Sequence, residues 1–253
     1  MPSTSTSVNP LGIKIEFDEA THIYTSNVNN KNITYTSVTS LIGQYFKQFD
    51  ALKVAGNVAK KRGVSVESII AEWDTTRNEA NAYGTRIHQI AEDTIKGIMP
   101  RHNPANNKEI ATFKYTVEAA LKLKDRFTVI DVEKIVFDHR LKIAGTIDLL
   151  LKYDDTYLIV DWKSNKEISD ENKYDEFGLG PLSSLADTTL NHYALQLSLY
   201  EYILRYVEYI PKDAIVKRVL MHVTSFGVNK IPLDYMKDYV KDLLIDYLLS
   251  NLK

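Results

Sequence analysis

The order of apolar and polar positions along the chain predicts a central β-hairpin over residues 142–163. Its first arm, 142–151, is apolar and β-branched, and the polar run 153–156 predicts a turn before a second apolar arm at 157–160. Continuous apolar arms of this length are typical of strands buried in the middle of a sheet. The pattern therefore places this hairpin at the centre of the fold.

Charged side chains interrupt the apolar hairpin. Side chains alternate between the two faces of a strand, so we expect Asp161 and Lys163 on one side and Trp162 on the other. Asp148 lies inside the first arm, where an unpaired carboxylate is costly to bury, so a cation is expected beside it. Lys163 could supply that cation alone, and a divalent metal ion would do so better. Gly145 predicts a bend, or a place where another backbone approaches closely.

The remaining pattern predicts an α/β fold, a mixed sheet flanked by helices with a helical N-terminal portion. Ser37, Asp50 and Ser65 are suitable residues to cap the first three helices. The predicted strands outside the hairpin cover 13–17, 22–25, 33–36, 128–137 and 214–225, and the predicted helices cover 37–46, 50–61, 65–73, 75–97, 107–124, 190–209 and 233–252.

A long polar connection, 164–187, leaves the second arm of the hairpin directly. Connections of this length in compact domains are usually functional lids or disordered segments. We expect this one to be weakly structured and to flank a substrate.

The amino-acid composition excludes several kinds of covalent and metal chemistry and bears on nucleic-acid binding. The chain has no cysteine, which excludes disulfides, a thiolate nucleophile, cysteine-ligated zinc and a cysteine-ligated iron–sulfur cluster. The formal net charge of −2 gives no overall basic signature, so any nucleic-acid surface must be a local patch. The basic residues that could form it, each of which could equally be a solvated surface charge, are Lys60, Lys61, Arg62, Arg77, Arg86, Lys163 and Lys166.

The N-terminal residues and the length of the apolar runs bear on domain organisation and on membrane association. Residues 1–12 have neither the basic nor the apolar region of a signal peptide, and we expect a disordered lead-in followed by a single domain over 13–253. No apolar run approaches the roughly 20 residues that a membrane span needs, so we expect a soluble protein with no membrane partner.

Several motifs resemble one family. G-T-I-D at 145–148 followed by D-W-K at 161–163 resembles the core of the PD-(D/E)XK nuclease superfamily. G-x-x-x-H at 84–88 and Q-x-x-x-Y at 196–200 resemble motifs of its RecB-like exonuclease branch, in the order found there. The segment 17–39 is similar, more weakly, to the entry region of phage-type members. The resemblance implies a restriction-endonuclease-like fold and a metal-dependent DNA nuclease.

The resemblance also implies a metal site. Asp148 and Asp161 would bind one or two Mg²⁺ or Mn²⁺ ions, with His88 as the nitrogen ligand and the carbonyl of Trp162 as a further oxygen. His88 and Glu92 are four residues apart on a predicted helix and share a face beside its buried stripe. Glu92 could be a site residue or an ordinary exposed glutamate.

Other roles follow from the same resemblance. Lys163 would orient or deprotonate the attacking water, and Gln196 and Tyr200 would position the substrate or the catalytic residues. Apart from the resemblance, the position of Glu133 on a predicted strand would allow it to be a carboxylate close to the site. Pairing with a lysine at a strand edge is the preferred interpretation of Glu133.

Arg86 and Lys166 are the residues predicted to contact DNA. The RecB-like motifs favour an exonuclease, with an endonuclease on the same metal centre or a non-catalytic DNA-binding subunit as alternatives. A structural ion pair in a protein of unrelated function is a further alternative. A helicase, recombinase or annealing protein is compatible as a partner, and the expected location is the cytoplasm of a bacterial cell or of a phage-infected host.

Overall fold

The computed structural model describes residues 4–251, in which nine strands form a mixed sheet and six α-helices pack around it. The strands are β1 Thr4–Val8, β2 Lys14–Asp18, β3 Ile23–Val28, β4 Lys31–Ser37, β5 Thr128–Asp138, β6 Ile143–Tyr153, β7 Thr156–Lys163, β8 Ile215–Thr224 and β9 Gly227–Leu233. The helices are α1 Val38–Gly43, α2 Ala51–Arg62, α3 Val66–Lys96, α4 Asn107–Arg126, α5 Thr189–Tyr206 and α6 Lys237–Asn251. The predicted fold class, a restriction-endonuclease-like mixed sheet flanked by helices, is confirmed.

The central strand β6 has different neighbours along its two sides. On one side β5 pairs with it along nearly its whole length. On the other side β4 pairs with residues 143 and 144, and β7 pairs with residues 149–153. Among the described residues, 145–148 therefore have no strand partner on that second side. Asp148 lies in this gap, at the point where β7 separates from β6.

Two apolar cores sandwich the sheet. Helices α1, α5 and α6 cover one face through a cluster that includes Leu41, Leu195 and Leu243. Helices α3 and α4 cover the other face, where Ile87 and Phe113 pack near Trp162 of β7. The helix that carries the G-x-x-x-H motif and the helix that carries the Q-x-x-x-Y motif thus approach the hairpin from opposite faces. Within residues 4–251, no helix has both the length and the apolar character that crossing a bilayer requires.

Helix α3 runs unbroken for 31 residues, where the sequence pattern predicts two helices separated at Asp74. That prediction is wrong because the polar residues following Asp74 are accommodated within the helix. The hydroxyls of Thr75 and Thr76 each donate to the carbonyl four residues earlier at 2.9 Å, so both find an acceptor within the helix. His88 therefore lies on one long, continuous support.

The N-terminus is more ordered than predicted over the residues described. Residues 4–8, expected to belong to a disordered lead-in, form β1, which pairs antiparallel with β2, while residues 1–3 lie outside the described part. The buried side chain of Asn9 closes the turn between them by accepting from the amides of Leu11 and Ile13. This strand contains alternating Thr and Ser, so an apolar pattern did not reveal it.

The chain between β7 and the C-terminus also differs from its prediction. The connection 164–187 contains a short 3₁₀ helix at Gly180–Leu182, and Leu182 and Leu185 are buried in the core, so it is better ordered than expected. Strand β9 was not predicted, and α6 begins only at Lys237. β9 lies at the edge of the sheet, which is where a strand tolerates a residue such as Pro232.

Candidate active site

Three carboxylates are aligned across three adjacent strands. On β5 and β6 the pairs Val132↔Leu149 and Lys134↔Ile147 flank Glu133 and Asp148, which therefore occupy opposing positions. The last pair joining β6 to β7 is Leu149↔Val160, so the next position places Asp161 opposite Asp148. Pairing between strands thus brings together three acids that are far apart in the sequence.

His88 completes a cluster suited to a divalent cation. Its Nδ1 lies 3.3 Å from Asp148 Oδ2, and ligand atoms of His88, Glu133 and Asp148 all lie within 4.8 Å of one another. Carboxylate oxygens with one imidazole nitrogen form a donor set that Mg²⁺ accepts and that favours Mn²⁺. The chemistry of these side chains therefore fits the predicted metal.

Glu133 is where the sequence interpretation is wrong. It was expected to pair with a lysine at a strand edge, but among the described residues no ion pair involves it, and it lies beside His88 and Asp148. Its φ of 52° is unusual for a residue other than glycine. Backbone strain of this kind is often found at functional sites, where the surrounding structure holds it in place.

The raised pKa values of two of the acids show that a charged carboxylate is costly to bury here. Burial, then the charges of Asp148 and Glu92, raise the pKa of Glu133 to about 8. Burial also raises the pKa of Asp161 to about 6, although the ammonium of Lys163 opposes the shift. Both shifts mean that ionising Glu133 and Asp161 costs free energy that a nearby cation would offset. A divalent ion would supply the missing positive charge.

Lys163 forms an ion pair with Asp161, with Nζ 2.7 Å from Oδ2, and its side chain is only 16% exposed. Burial disfavours the charged ammonium, but the carboxylates of Asp161 and Asp148 outweigh this and raise the pKa of Lys163 above its usual range. Lys163 is therefore a protonated cation at neutral pH. Its position on the same side of β7 as Asp161 agrees with the alternation expected from the sequence.

The backbone of Trp162 faces the candidate site, and its ring packs in an apolar core. Its backbone N–H donates to Asp148 Oδ2 at 2.7 Å, which fixes that carboxylate at the gap in the sheet. Its indole is buried on the opposite face, against α3 and α4. The expected division, with Asp161 and Lys163 on one side of the strand and Trp162 on the other, is confirmed.

The Q-x-x-x-Y residues on α5 reach the same place. Gln196 Nε2 donates to the hydroxyl of Tyr200 at 3.1 Å and lies 3.5 Å from Asp161 Oδ1. The ring of Tyr200 packs on Gly145, where an added Cβ would lie only 2.5 Å from the Tyr200 Cε1 atom. Gly145 was expected to permit a bend or a close backbone, whereas it makes room for this side chain. The Tyr200 ring can thus pack here only because residue 145 has no side chain.

The remaining predicted residues are more peripheral. Glu92 pairs with Lys96 on α3, yet its charge still contributes to the raised pKa of Glu133. The guanidinium of Arg86 pairs with Glu109 at 2.9 Å and joins α3 to α4. This pairing favours a structural role for Arg86 over the predicted DNA contact. Lys166 is exposed in the connection after β7.

The sequence interpretation overlooked one histidine beside the site. His222 on β8 is paired in register with Lys163 on β7, and it is 8% exposed. It lies in an apolar strand with no motif around it. Only the parallel pairing of β7 with β8 brings it to the lysine, so no local signal could have identified it.

One comparison with known proteins found a family model that part of the chain resembles. Residues 105–230 match the family model of the PD-(D/E)XK nuclease superfamily. The PD-(D/E)XK match begins just before α4, ends within β9 and contains Glu133, Asp148, Asp161 and Lys163. It supports a metal-dependent nuclease, a phosphodiester hydrolase. His88, on α3, lies outside it, and no curated protein matched the chain.

Proposed function

We propose that this protein is a metal-dependent deoxyribonuclease that digests DNA from its ends. One observation carries the proposal. The acids aligned on β5, β6 and β7, and the Lys163 that pairs with Asp161, lie within the segment that matches a nuclease superfamily. His88 lies outside that segment but beside Glu133 and Asp148. A structural ion pair would need neither the imidazole nor the third carboxylate.

The residues assigned to the metal are His88, Glu133 and Asp148, with Asp161 and the carbonyl of Trp162 as further oxygen ligands. When bound, Mg²⁺ or Mn²⁺ lowers the pKa of an attacking water and stabilises the negative charge that develops on the phosphate. The protein's part is to hold the ligands in place. The amide of Trp162 does this for Asp148, and Gln196 does it for Asp161.

Lys163 acts as a cation in this proposal. Because neighbouring carboxylates raise its pKa, the amine keeps its proton and is a poor general base at neutral pH. Its ammonium instead orients the attacking water and offsets charge on the phosphate in the transition state. Of the two roles that the sequence left open for Lys163, the electrostatic one is therefore favoured.

Assignment to the RecB-like branch, and with it exonuclease activity, rests on the resemblance of two motifs. Their contacts support the assignment: His88 lies against Asp148, and the Gln196–Tyr200 pair lies against Asp161. A phage-type protein working in the bacterial cytoplasm, with a helicase, recombinase or annealing partner, is part of the same proposal. Lys166 is the exposed cation that we assign to the DNA path.

The test is digestion of linear and covalently closed circular DNA of the same sequence, with Mg²⁺, Mn²⁺ or EDTA. We expect metal-dependent loss of the linear form alone, with release of nucleotides. Nicking of the circle would replace the exonuclease with an endonuclease on the same centre. No cleavage of either DNA with any metal would contradict the nuclease and favour a DNA-binding subunit.

A further inference from the structure

Lys163 has a second neighbour besides Asp161. Its Nζ lies 4.7 Å from the centre of the Tyr193 ring, which α5 places over it. This distance is within the range of a cation–π interaction, which strengthens when the cation is shielded from water. Tyr193 belongs neither to the Q-x-x-x-Y pair nor to the metal cluster, so its position calls for a separate explanation.

The hydroxyl of Tyr193 is fixed in turn. It donates to Oδ1 of Asn165 at 2.9 Å, and Asn165 lies two residues after Lys163. Burial raises the pKa of Tyr193, with the nearby ammonium opposing the shift, so the phenol keeps the proton that this bond requires. The ring therefore cannot rotate away from Lys163 without breaking a hydrogen bond to the segment that carries the lysine.

His222 holds Asn165 from the neighbouring strand. Its Nε2 lies 2.7 Å from the backbone carbonyl oxygen of Asn165. A carbonyl only accepts, so the Nε2 carries the proton and donates. Because His222 and Lys163 are paired in register, this bond fastens the chain just beyond β7 to β8.

We propose that Tyr193 and His222, linked through Asn165, are positioning residues that hold the Lys163 ammonium in its catalytic direction. A lysine side chain has a long flexible stem, and one ion pair with Asp161 leaves the ammonium free to pivot about that carboxylate. The ring above it and the fixed backbone beyond it remove that freedom. This inference rests on the proposed nuclease function, since it assigns Lys163 the role given there.

Substitutions at Tyr193 separate the ring from the hydroxyl. Tyr193→Leu removes the ring, and we expect kcat for cleavage to fall about tenfold, with KM for DNA and affinity for Mn²⁺ unchanged. Tyr193→Phe keeps the ring but loses its bond to Asn165, so its kcat should lie between those of the parent protein and the Leu variant. Tyr202→Leu is the matched control, since Tyr202 is on the same helix and stacks on Tyr206 instead, 4.2 Å between ring centres. An unchanged kcat in Tyr193→Leu, or a rise in KM alone, would overturn the inference.

The hydrogen bond from His222 to the carbonyl of Asn165 can be tested with a conservative variant. His222→Gln keeps a side-chain N–H that can reach the carbonyl of Asn165, whereas His222→Leu does not. We expect His222→Leu to lower kcat severalfold and His222→Gln to restore most of it. If both variants cleave as fast as the parent protein, His222 only packs the sheet.

NMR of the Lys163 ε-methylene protons reports the geometry without reference to turnover. The Tyr193 ring current should shift these protons upfield in the parent protein and in Tyr193→Phe, and the shift should vanish in Tyr193→Leu. A parent protein with the upfield shift but no cleavage would contradict the nuclease proposal and, with it, a catalytic purpose for the positioning. Normal cleavage with no upfield shift in the parent would contradict the positioning alone.

Discussion

At the scale of single residues, Glu133 has the most measurable consequence. Its pKa is raised from 4.5 to about 8 by burial and by neighbouring carboxylates. Between those two pH values the folded protein holds a proton that the unfolded chain has released. The free energy of unfolding of the metal-free protein therefore falls as the pH rises through this window.

We predict that the thermal midpoint measured in EDTA declines between about pH 5 and pH 8. Glu133→Gln has no charge to bury, so its midpoint should change less over that range and exceed that of the parent protein at pH 8. Glu118→Gln on α4, which removes a half-exposed carboxylate paired with Lys114 and outside the acidic cluster, is the control and should follow the parent. Parallel curves for the parent and Glu133→Gln would show that Glu133 does not carry this charge.

Lys163 gives the sharpest prediction for activity. Lys163→Met keeps the apolar stem but removes the ammonium, and we expect the cleavage rate to fall by roughly 10²-fold or more, with DNA affinity largely kept. Lys152→Met is the control, because Lys152 lies on β6 with its own aromatic partner, Tyr157, near the hairpin turn. A Lys163→Met protein that cuts at the parent rate would remove Lys163 from the mechanism.

At the scale of elements, the contact between α5 and β6 depends on Gly145. Gly145→Ala places a methyl group 2.5 Å from the Tyr200 ring, and overpacking of this kind costs about 1–3 kcal/mol. Urea unfolding should show that the free energy of unfolding falls by this amount. The decrease should be smaller when Tyr200 is also changed to Leu. Gly56→Ala, in α2 with open space around it, should be neutral or stabilising. Equal effects at the two glycines would contradict the assigned contact.

Elements with strong local signals were predictable. Ser37, Asp50 and Ser65 each accept from a backbone amide at the start of a helix, as their sequence positions suggested. Elements without such signals were not: β1 is almost wholly polar, and β9 carries a proline. In both cases the strand forms because a neighbouring strand supplies hydrogen bonds, which a local apolar pattern does not record.

The same limit applied to the site. The motifs pointed to His88, Asp148, Asp161 and Lys163, because each stands in a recognisable local pattern. Glu133 and His222 joined them only through strand register, which depends on how distant segments pair. A single sequence gives the alternation along a strand but not the residue opposite, so these two were misjudged or overlooked.

At the scale of the whole molecule, the site lies where the sheet is incomplete. β4 and β7 share one side of β6 but leave residues 145–148 between them. Tyr200 packs into that gap from one face, and His88 reaches Asp148 from the helix on the other. The break in the sheet thus brings residues of both helical layers, from motifs on three separated segments, next to one another.

The most direct test of the metal site is to locate Mn²⁺ in crystals of the protein by its anomalous scattering. We predict a peak within about 2.5 Å of the His88 imidazole and of the carboxylates of Glu133 and Asp148. The peak should be lost in Asp148→Asn crystals grown in the same way. Strong Mn²⁺ peaks elsewhere, with none beside these side chains at millimolar Mn²⁺, would contradict their assignment as the metal centre of a nuclease.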